Sequence, residues 1–436
     1  MLNFASPRSA SLLAAACATV SLFVATPAIA QLHIDITSGV TDPIPVAVVP
    51  MNGAGEGMSE VISADLARTG RFRAIAARAL PAQPQRSADL QQATWRAAGA
   101  DYVVLARVAG GAGQVLAEVE IVNVLTNQRL TPEPGQRLAA STSRQLAHLI
   151  ADLFHQKVLG IRGAFATRLA YVSVDGSPPS QHFQLLVADA DGANPHVVLD
   201  SRQPIMSPAW SPDGEWLAYV SFEGRMSGVY VQRLRSGERR RVSARVGING
   251  APTWSPDGRR LALTLSGSSG NLDIYVLELA TQSLSRITND PAIDTEPTWS
   301  ADGASLYFTS DRGGGPQIYR TTLGSAEAPR RITFGSRYNG RSRLSPDGKT
   351  LACVTLDNGN YRVALQDLAT GASRVLSRGR NDESPSFAPN GAALIFAGRE
   401  RGQGSLIVIS IDGLSTQRLQ ADHGEVREPA WGPFTY

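Results

Sequence analysis

The chain has 436 residues, 43% of them hydrophobic and 18% charged. That length holds two or three domains, and that composition excludes wholesale disorder. A formal net charge of +3, with no long basic stripe, argues against a nucleic-acid-binding protein.

The first thirty residues carry one charge, Arg8, then an apolar run over 12–24 and Ala28-Ile29-Ala30, which puts small residues at −3 and −1. This pattern predicts a secretory signal cleaved after Ala30, so that the mature protein begins at Gln31. A lipoprotein cleavage at Cys17, within LAAAC, is the rival; Ala14 and the apolar sequence beyond the cysteine weigh against it. No later stretch is long enough to span a membrane. Cys353 is then the only mature cysteine, which excludes an intramolecular disulfide and reads as a buried, inert thiol.

Residues 31–160 mix helical and strand patterns without a repeat. LHIDITSGV (32–40) alternates at Leu32, Ile34 and Ile36, the pattern of an extended segment that could pair with a sheet edge, its own or another protein's. PIPVAVVPM (43–51) is a buried strand, 58–69 a helix, RFRAIA a strand and 89–98 a second helix. Strands DYVVLARV and LAEVEIVNV follow. The span 141–158 is a long amphipathic helix with Leu146, Leu149, Ile150, Leu153 and Phe154 on one face. This is a small α/β domain. Its glycine-rich pieces, 52–57 and 109–113, lack the spacing of a phosphate loop and read as ordinary loops.

From 161 to 436 the chain repeats. PAWSPDG (208–214), PTWSPDG (252–258), PTWSADG (297–303), SRLSPDG (342–348), PSFAPNG (385–391) and a truncated PAWGPF (429–434) place Trp210, Trp254, Trp299, Leu344, Phe387 and Trp431 at separations of 44, 45, 45, 43 and 44. A period in the forties with strand-like content is that of a β-propeller. Within a repeat, the PDG phrase supplies the residues of a tight turn between the first two strands; it is punctuation, not a catalytic signature. RLAYVS at 168–173 matches WLAYVS at 216–221 but has no Pro-x-Trp-Ser ahead of it, and the terminal PAWGPF has nothing after it. The economical solution is an all-β six-bladed β-propeller closed by the C-terminal strand, which removes the open sheet edges. The periodic tryptophans are expected to fill the wedges between blades rather than form a ligand cage. Trp216 falls outside the repeat.

A search for chemistry yields little. None of the six histidines (His33, His148, His155, His182, His196, His423) recurs at blade-equivalent positions, so no metal or other cofactor is expected. His148 and His155 are one heptad apart on the long helix and are expected at its surface or end. ADADGAN (188–194) lacks the distal glutamate of a calcium loop and reads as a hairpin turn. No nucleophile elbow is present, and no carboxylate pair is singled out for glycosidase work. Arg239-Arg240-Arg241 reads as charge guarding a blade's outer edge.

What remains is a face. The loops linking successive blades emerge beside the axis, and carry Asn249-Gly250-Ala251, Asp294-Thr295-Glu296, Tyr338-Asn339-Gly340-Arg341, Asp382-Glu383 and Arg427-Glu428. The second-to-third strand loops add Glu223, Arg225, Asp311-Arg312 and Arg399-Glu400. This mixed-sign rim suits a polar protein or peptide ligand, although any solvated loop set shares that composition.

ITSGV…PIPVAVVP, the PxWSPDG units, TSDRGGGPQIYR (309–320) and the terminal PAWGPF together resemble the TolB family of the Tol–Pal system of Gram-negative bacteria, over essentially the whole mature chain. The resemblance implies a non-enzymatic, monomeric periplasmic adaptor for outer-membrane integrity and constriction at division. It would bind the lipoprotein Pal through the propeller face and TolA through the N-terminal segment, with other outer-membrane or peptidoglycan-associated proteins as further partners. The family stretch His-Asn-Gly-Ala-Pro falls on Ile248-Asn249-Gly250-Ala251-Pro252, with Ile248 replacing histidine, and Asn-Thr-Glu-Pro falls on Asp294-Thr295-Glu296-Pro297. The implied Pal face comprises Asn249, Gly250, Ala251, Thr295, Glu296, Tyr338, Asn339, Arg341, Asp382 and Glu383. The implied TolA segment comprises Leu32, His33, Ile34, Asp35, Ile36 and Thr37. RYNGRSR (337–343) departs from the family pattern with three arginines. The alternative class is an exported propeller hydrolase or lyase with its site at the channel mouth. A PQQ-type dehydrogenase is opposed by the blade count.

Overall fold

A computed structural model describes residues 32–38, 41–111, 113–267, 270–400, 403–421 and 424–435. The expected signal sequence, Cys17 and His423 lie outside them. From Arg168 onward the chain forms six antiparallel sheets arranged as the blades of a propeller. The second blade is typical: Ile205–Trp210 innermost, then Trp216–Ser221, Gly228–Arg233 and Arg239–Ser243. The first blade takes Arg168–Asp175, His182–Asp189 and His196–Ser201 from one end of the propeller and its innermost strand, Glu425–Trp431, from the other. Fully buried residues such as Tyr171, Leu217, Leu261, Phe308 and Phe396 pack between the blades.

The repeated PDG phrase is a turn held by its own side chains. In the second blade, Trp216 N–H donates to Ser211 Oγ (2.9 Å), Glu215 N–H to Asp213 Oδ1 (2.9 Å), and Gly214 takes φ of +68°. The hydroxyls of Ser255, Ser300 and Ser345 donate to Asp257, Asp302 and Asp347 in the next three blades and hold those carboxyls below the usual carboxylate range. The tryptophans do more than fill wedges. The indole N–H of Trp210 donates to the Ala430 carbonyl (3.0 Å), that of Trp254 to Ala209 (3.2 Å) and that of Trp299 to Thr253 (3.2 Å), each reaching the innermost strand of the preceding blade. Trp216, unplaced by the repeat, opens a second strand and lies between the guanidinium groups of Arg233 and Arg240. Cys353 is buried, and burial pushes its thiol up to about 12.

The N-terminal strand Leu32–Ser38 pairs antiparallel with Thr416–Ala421, adding a fifth strand to the sixth blade, with Leu32 opposite Ala421 and Ile36 opposite Gln417. Its alternation serves the protein's own sheet: Leu32 is buried, while Ile36 is exposed.

The α/β unit holds a mixed sheet in the order Phe72–Ala74, Ile44–Val48, Tyr102–Gly111, Gln114–Asn123, Gln128–Arg129. Ile44–Val48 is parallel to both neighbours, as its continuous apolar run requires. Helices α1 (Met58–Arg68) and α3 (Ser143–Leu159) cover one face through Ile62, Leu66, Leu146, Ile150 and Phe154. Helix α2 (Gln92–Ala97) covers the other with Trp95. It is shorter than the expected 89–98. Ser87 N–H and Oγ donate to Glu120 Oε2 (2.9 and 2.5 Å), anchoring 87–89 as a 3-10 turn and delaying the helix.

His148 and His155, expected at the surface or end of the helix, are both buried, His148 in mid-helix and His155 near its C-terminal end, so the surface expectation is corrected. The polar stripe of α3 faces the propeller and the linker, not solvent. His155 Nδ1 lies 2.6 Å from the Ile161 carbonyl and donates to it, and burial lowers the pKa of its ring. His148 Nδ1 lies 2.6 Å from Asp65 Oδ2. The ADADGAN turn does form the hairpin between His182–Asp189 and His196–Ser201, and docks on the α/β unit. Arg144 holds Asp189 (3.2 Å) and Asp191, while Arg68 lies 3.7 Å from Asp191. Asn390 Nδ2 donates to the Arg162 carbonyl (2.9 Å), and Arg71 pairs with Asp412. All these propeller residues belong to first-to-second or third-to-fourth strand turns, so the α/β unit sits on the face carrying the PDG turns. The opposite face stays open. The linker is tied to α3 by Asp152, whose Oδ1 accepts the Phe165 N–H (2.7 Å) and Oδ2 the Ala166 N–H (3.4 Å).

Replacing Trp254 by Phe leaves the Ala209 carbonyl without its indole donor and should lower the unfolding free energy by about 2 kcal/mol, read from the urea midpoint. Burial, working against those two N–H bonds, raises the Asp152 carboxyl to about 6. The folded state therefore holds the proton more tightly than the unfolded chain, and stability is lost as pH rises from about 4 through about 6. Relative to Asp152→Asn, the wild type should lose up to about 3 kcal/mol across that window and no more above it, in urea titrations at stepped pH.

Candidate protein-binding face at the propeller mouth

Each innermost strand is interrupted by a bulge near its start, where the register with the second strand shifts. One residue of each bulge takes a left-handed backbone: Ser207 (φ +52°), Ala251 (+45°), Glu296 (+56°), Arg341 (+52°), Ser384 (+54°) and Glu428 (+53°). None is glycine, and five of the six precede proline, which disfavours helical backbone in the residue before it. Such strain costs on the order of 1–3 kcal/mol per site and persists only where the surroundings enforce it. The bulges turn these six residues into one ring around the axis, lining a cavity of about 390 Å³.

Charge is concentrated in that ring. Arg341 Nε donates to Glu296 Oε1 (2.9 Å) and its backbone N–H to Glu296 Oε2 (2.9 Å). Its Nη1 lies 3.5 Å from Glu428 Oε1 and 3.8 Å from Glu383 Oε2, and also donates to Ser384 Oγ. One arginine thus ties together innermost strands of the first, fourth, fifth and sixth blades. Burial by itself would lower the Arg341 pKa, and the carboxylates of Glu428, Glu296 and Glu383 more than reverse that, so it is raised. Arg343, deeper in the cavity, donates through Nη1 to the Ser342 carbonyl (2.8 Å), and burial lowers its pKa.

The face residues read from the sequence divide into two groups. Gly250, Ala251, Thr295, Glu296, Tyr338 and Arg341 are partly exposed at the mouth, and Glu383 is exposed. Asn249, Asn339 and Asp382 are buried, and their side chains are bonded to groups beneath the mouth. Asn249 Oδ1 accepts Ser243 Oγ–H (2.6 Å) and Arg245 N–H (2.9 Å), Asn339 Nδ2 donates to Gln317 Oε1 (2.9 Å), and Asp382 Oδ2 accepts Ser377 Oγ–H (2.5 Å) and Gly379 N–H (3.0 Å). Each pins the loop that enters its blade. Leu32, Ile34, Asp35, Ile36 and Thr37, with the backbone of His33, lie in the fifth strand of the sixth blade, away from the mouth.

Two apolar rim residues, Val246 and Ile293, had no place in the expected face, and Ile248 entered it only as the replacement of the family histidine. Val246 (86% exposed), Ile248 (51%) and Ile293 (48%) stand on the inter-blade loops leading into the third and fourth blades. Their signal was present as single apolar residues in the polar loops ARVGING and DPAID.

No histidine or cysteine among the described residues lines the mouth. A grouping with metal-ligand chemistry, Asp65, His148 and Asp191, lies instead at the junction with the α/β unit. Arg68 and Arg144 already pair with its carboxylates, which disfavours a cation there. The mouth offers hydrogen bonding, charge and apolar contact. Arg341→Met should leave Glu296, Glu383 and Glu428 facing one another and lower stability by about 3 kcal/mol at neutral pH. Urea unfolding of the variant beside the wild type at pH 7 measures the deficit.

Residues 155–435 match the family described as the TolB beta propeller domain, and residues 32–130 that described as the TolB amino-terminal domain. The Tol-Pal system protein TolB of Xanthomonas campestris pv. campestris (strain B100) is 45% identical over 412 residues, covering 92% of this chain and 93% of that protein. The Tol-Pal system protein TolB of Xanthomonas euvesicatoria pv. vesicatoria (strain 85-10) is 44% identical over 429 residues, covering 96% and 97%. The crystal structure of TolB from Acinetobacter baumannii superposes with a TM-score of 0.85 at 40% identity, covering 93% of this chain and all of that one. With both domains matched and relatives similar across nearly their whole length, the chain belongs to the TolB family of Tol–Pal system proteins.

Proposed function

We propose that this protein is a periplasmic adaptor that performs no chemistry itself. It binds the lipoprotein Pal through the propeller mouth and TolA through residues 32–37, in support of outer-membrane integrity and constriction at division. The observation that carries this reading is the strained, charge-tied ring on the face that the α/β unit leaves open. Strain held by rigid surroundings presents a fixed binding shape, which lowers the ordering cost of association. Thr295, Tyr338 and Glu383 supply polar contacts, and Ile248 and Ile293 apolar ones, at the edge of a cavity that receives a protruding side chain. The N-terminal segment supports the second contact: one edge of Leu32–Ser38 pairs with its own blade, and strand addition on the other suits an extended partner.

Calorimetric titration of residues 31–436 with the periplasmic domain of the same organism's Pal should give saturable binding, weakened at least tenfold by Thr295→Arg. Binding that survives in that variant moves the site off the mouth. No binding by a folded protein overturns the reading and returns attention to hydrolase or lyase chemistry at the channel. A chain lacking residues 31–38 should lose TolA and keep Pal, and retained TolA binding would dismiss the second half of the proposal.

A further inference from the structure

The fourth and sixth blades satisfy a corresponding buried carboxylate differently. In the fourth blade, the buried Asp294 stands opposite Ser310 and receives both a bond from Ser310 and bonds to its two oxygens from Arg312 Nη2 (2.9 and 2.7 Å). In the sixth blade the corresponding carboxylate is Asp382, one residue before the Glu383–Ala397 pair, and it lies beside a residue without a side chain, Gly398, where a Cβ would come 3.0 Å from its Oδ1. No arginine reaches it among the described residues: Oδ2 is bonded to Ser377 and Gly379, while the buried Oδ1 has no hydrogen-bond partner. Beside it a cleft of about 890 Å³ runs down the side of the propeller to Thr37 of the N-terminal strand. Its floor is apolar, formed by Leu376, Phe396, Ile407 and Ile409. Four arginines line it (Arg378, Arg380, Arg399, Arg418) against a single carboxylate, that of Asp382. Arg399 is committed to Glu425. Arg378 and Arg380 are exposed, two residues apart along one wall, and neither forms an ion pair within the described residues.

We infer that this cleft is a second binding site, distinct from the mouth, for an extended peptide segment in which acidic side chains alternate with apolar ones. In an extended chain, successive side chains point to opposite sides. One set then covers the apolar floor while the other meets Arg378 and Arg380, whose guanidinium groups pair with carboxylates through two parallel bonds. Burial raises the Asp382 pKa, easing the approach of an acidic chain. The cleft shares Asp382, Gly398 and Arg399 with the cavity above it, yet Thr295 lines neither, so the two sites are separable by mutation.

The test is selection of a random dodecapeptide display library on immobilised residues 31–436, followed by fluorescence anisotropy with the recovered peptides. Recovered binders should alternate acidic and apolar residues. They should bind the Arg378→Glu/Arg380→Glu double variant and the Leu414→Glu variant at least tenfold more weakly, and Thr295→Arg unchanged. Leu414 lines the cleft and is half exposed, so its replacement spares the core. Arg378→Ala/Arg380→Ala serves as the milder pair should the charge reversal perturb folding. Recovery of no saturable binder, of basic binders, or of binders indifferent to the cleft variants or lost with Thr295→Arg would overturn the assignment.

Discussion

Trp431 lies 264 residues along the chain from Thr167, whose hydroxyl accepts its indole N–H, and that contact sits at the seam where the propeller closes. Around it, Glu425–Trp431 pairs with Arg168–Asp175, and Gly432 N–H donates to the Arg168 carbonyl (2.7 Å). Only glycine fits there, since a Cβ at 432 would lie 2.9 Å from that carbonyl oxygen. Until this strand is in place the ring has two free edges, and its channel has no sixth wall. The same strand carries Glu428 to Arg341. The charge cluster of the mouth is therefore a product of ring closure, not of any one blade.

The mouth owes its character to a conflict between local and global preference. Residues before proline favour extended backbone, yet five of them are held left-handed because the innermost strands must bulge inward as they converge on the axis. The indole bonds to preceding blades and the paired Arg341 enforce that geometry from below and across. On the other face, α3 receives the ADADGAN turn through Arg144 and holds the linker through Asp152 and His155. One long helix thus sets the relation of the two units and keeps the α/β unit away from the mouth.

Repetition also explains where the blades differ. The template places a buried Asp or Asn at the start of the third to sixth innermost strands: Asn249, Asp294, Asn339 and Asp382. Asn249 is satisfied by Ser243 and the backbone of its loop, Asp294 by Ser310 and Arg312, and Asn339 by Gln317 of the fourth blade. The sixth leaves one oxygen open because Gly398 stands where Ser310 stands in the fourth. That oxygen lies beside the cleft, and the arginines lining the cleft give it a sign.

The propeller was legible because its information is periodic. Turn residues recur at one interval, and the unmatched strands at the two ends, RLAYVS and PAWGPF, complete one another only in a closed ring of six. Helix and strand types of the α/β unit were readable from apolar spacing, though the start of α2 was not, since it depends on Ser87 meeting Glu120 from a distant strand. The mouth was half legible. Sequence placed Thr295, Glu296, Tyr338 and Arg341 on one face through topology, but could not separate them from Asn249, Asn339 and Asp382, because identical residue types serve as contacts or as buried pins according to their neighbours. His148 and His155 escaped for a related reason: a polar stripe on a helix has the same spacing whether it meets water or another domain. Local spacing determined which elements form and in what order; only the packed tertiary structure decided which polar groups are desolvated and paired, because burial depends on what arrives from elsewhere in the chain.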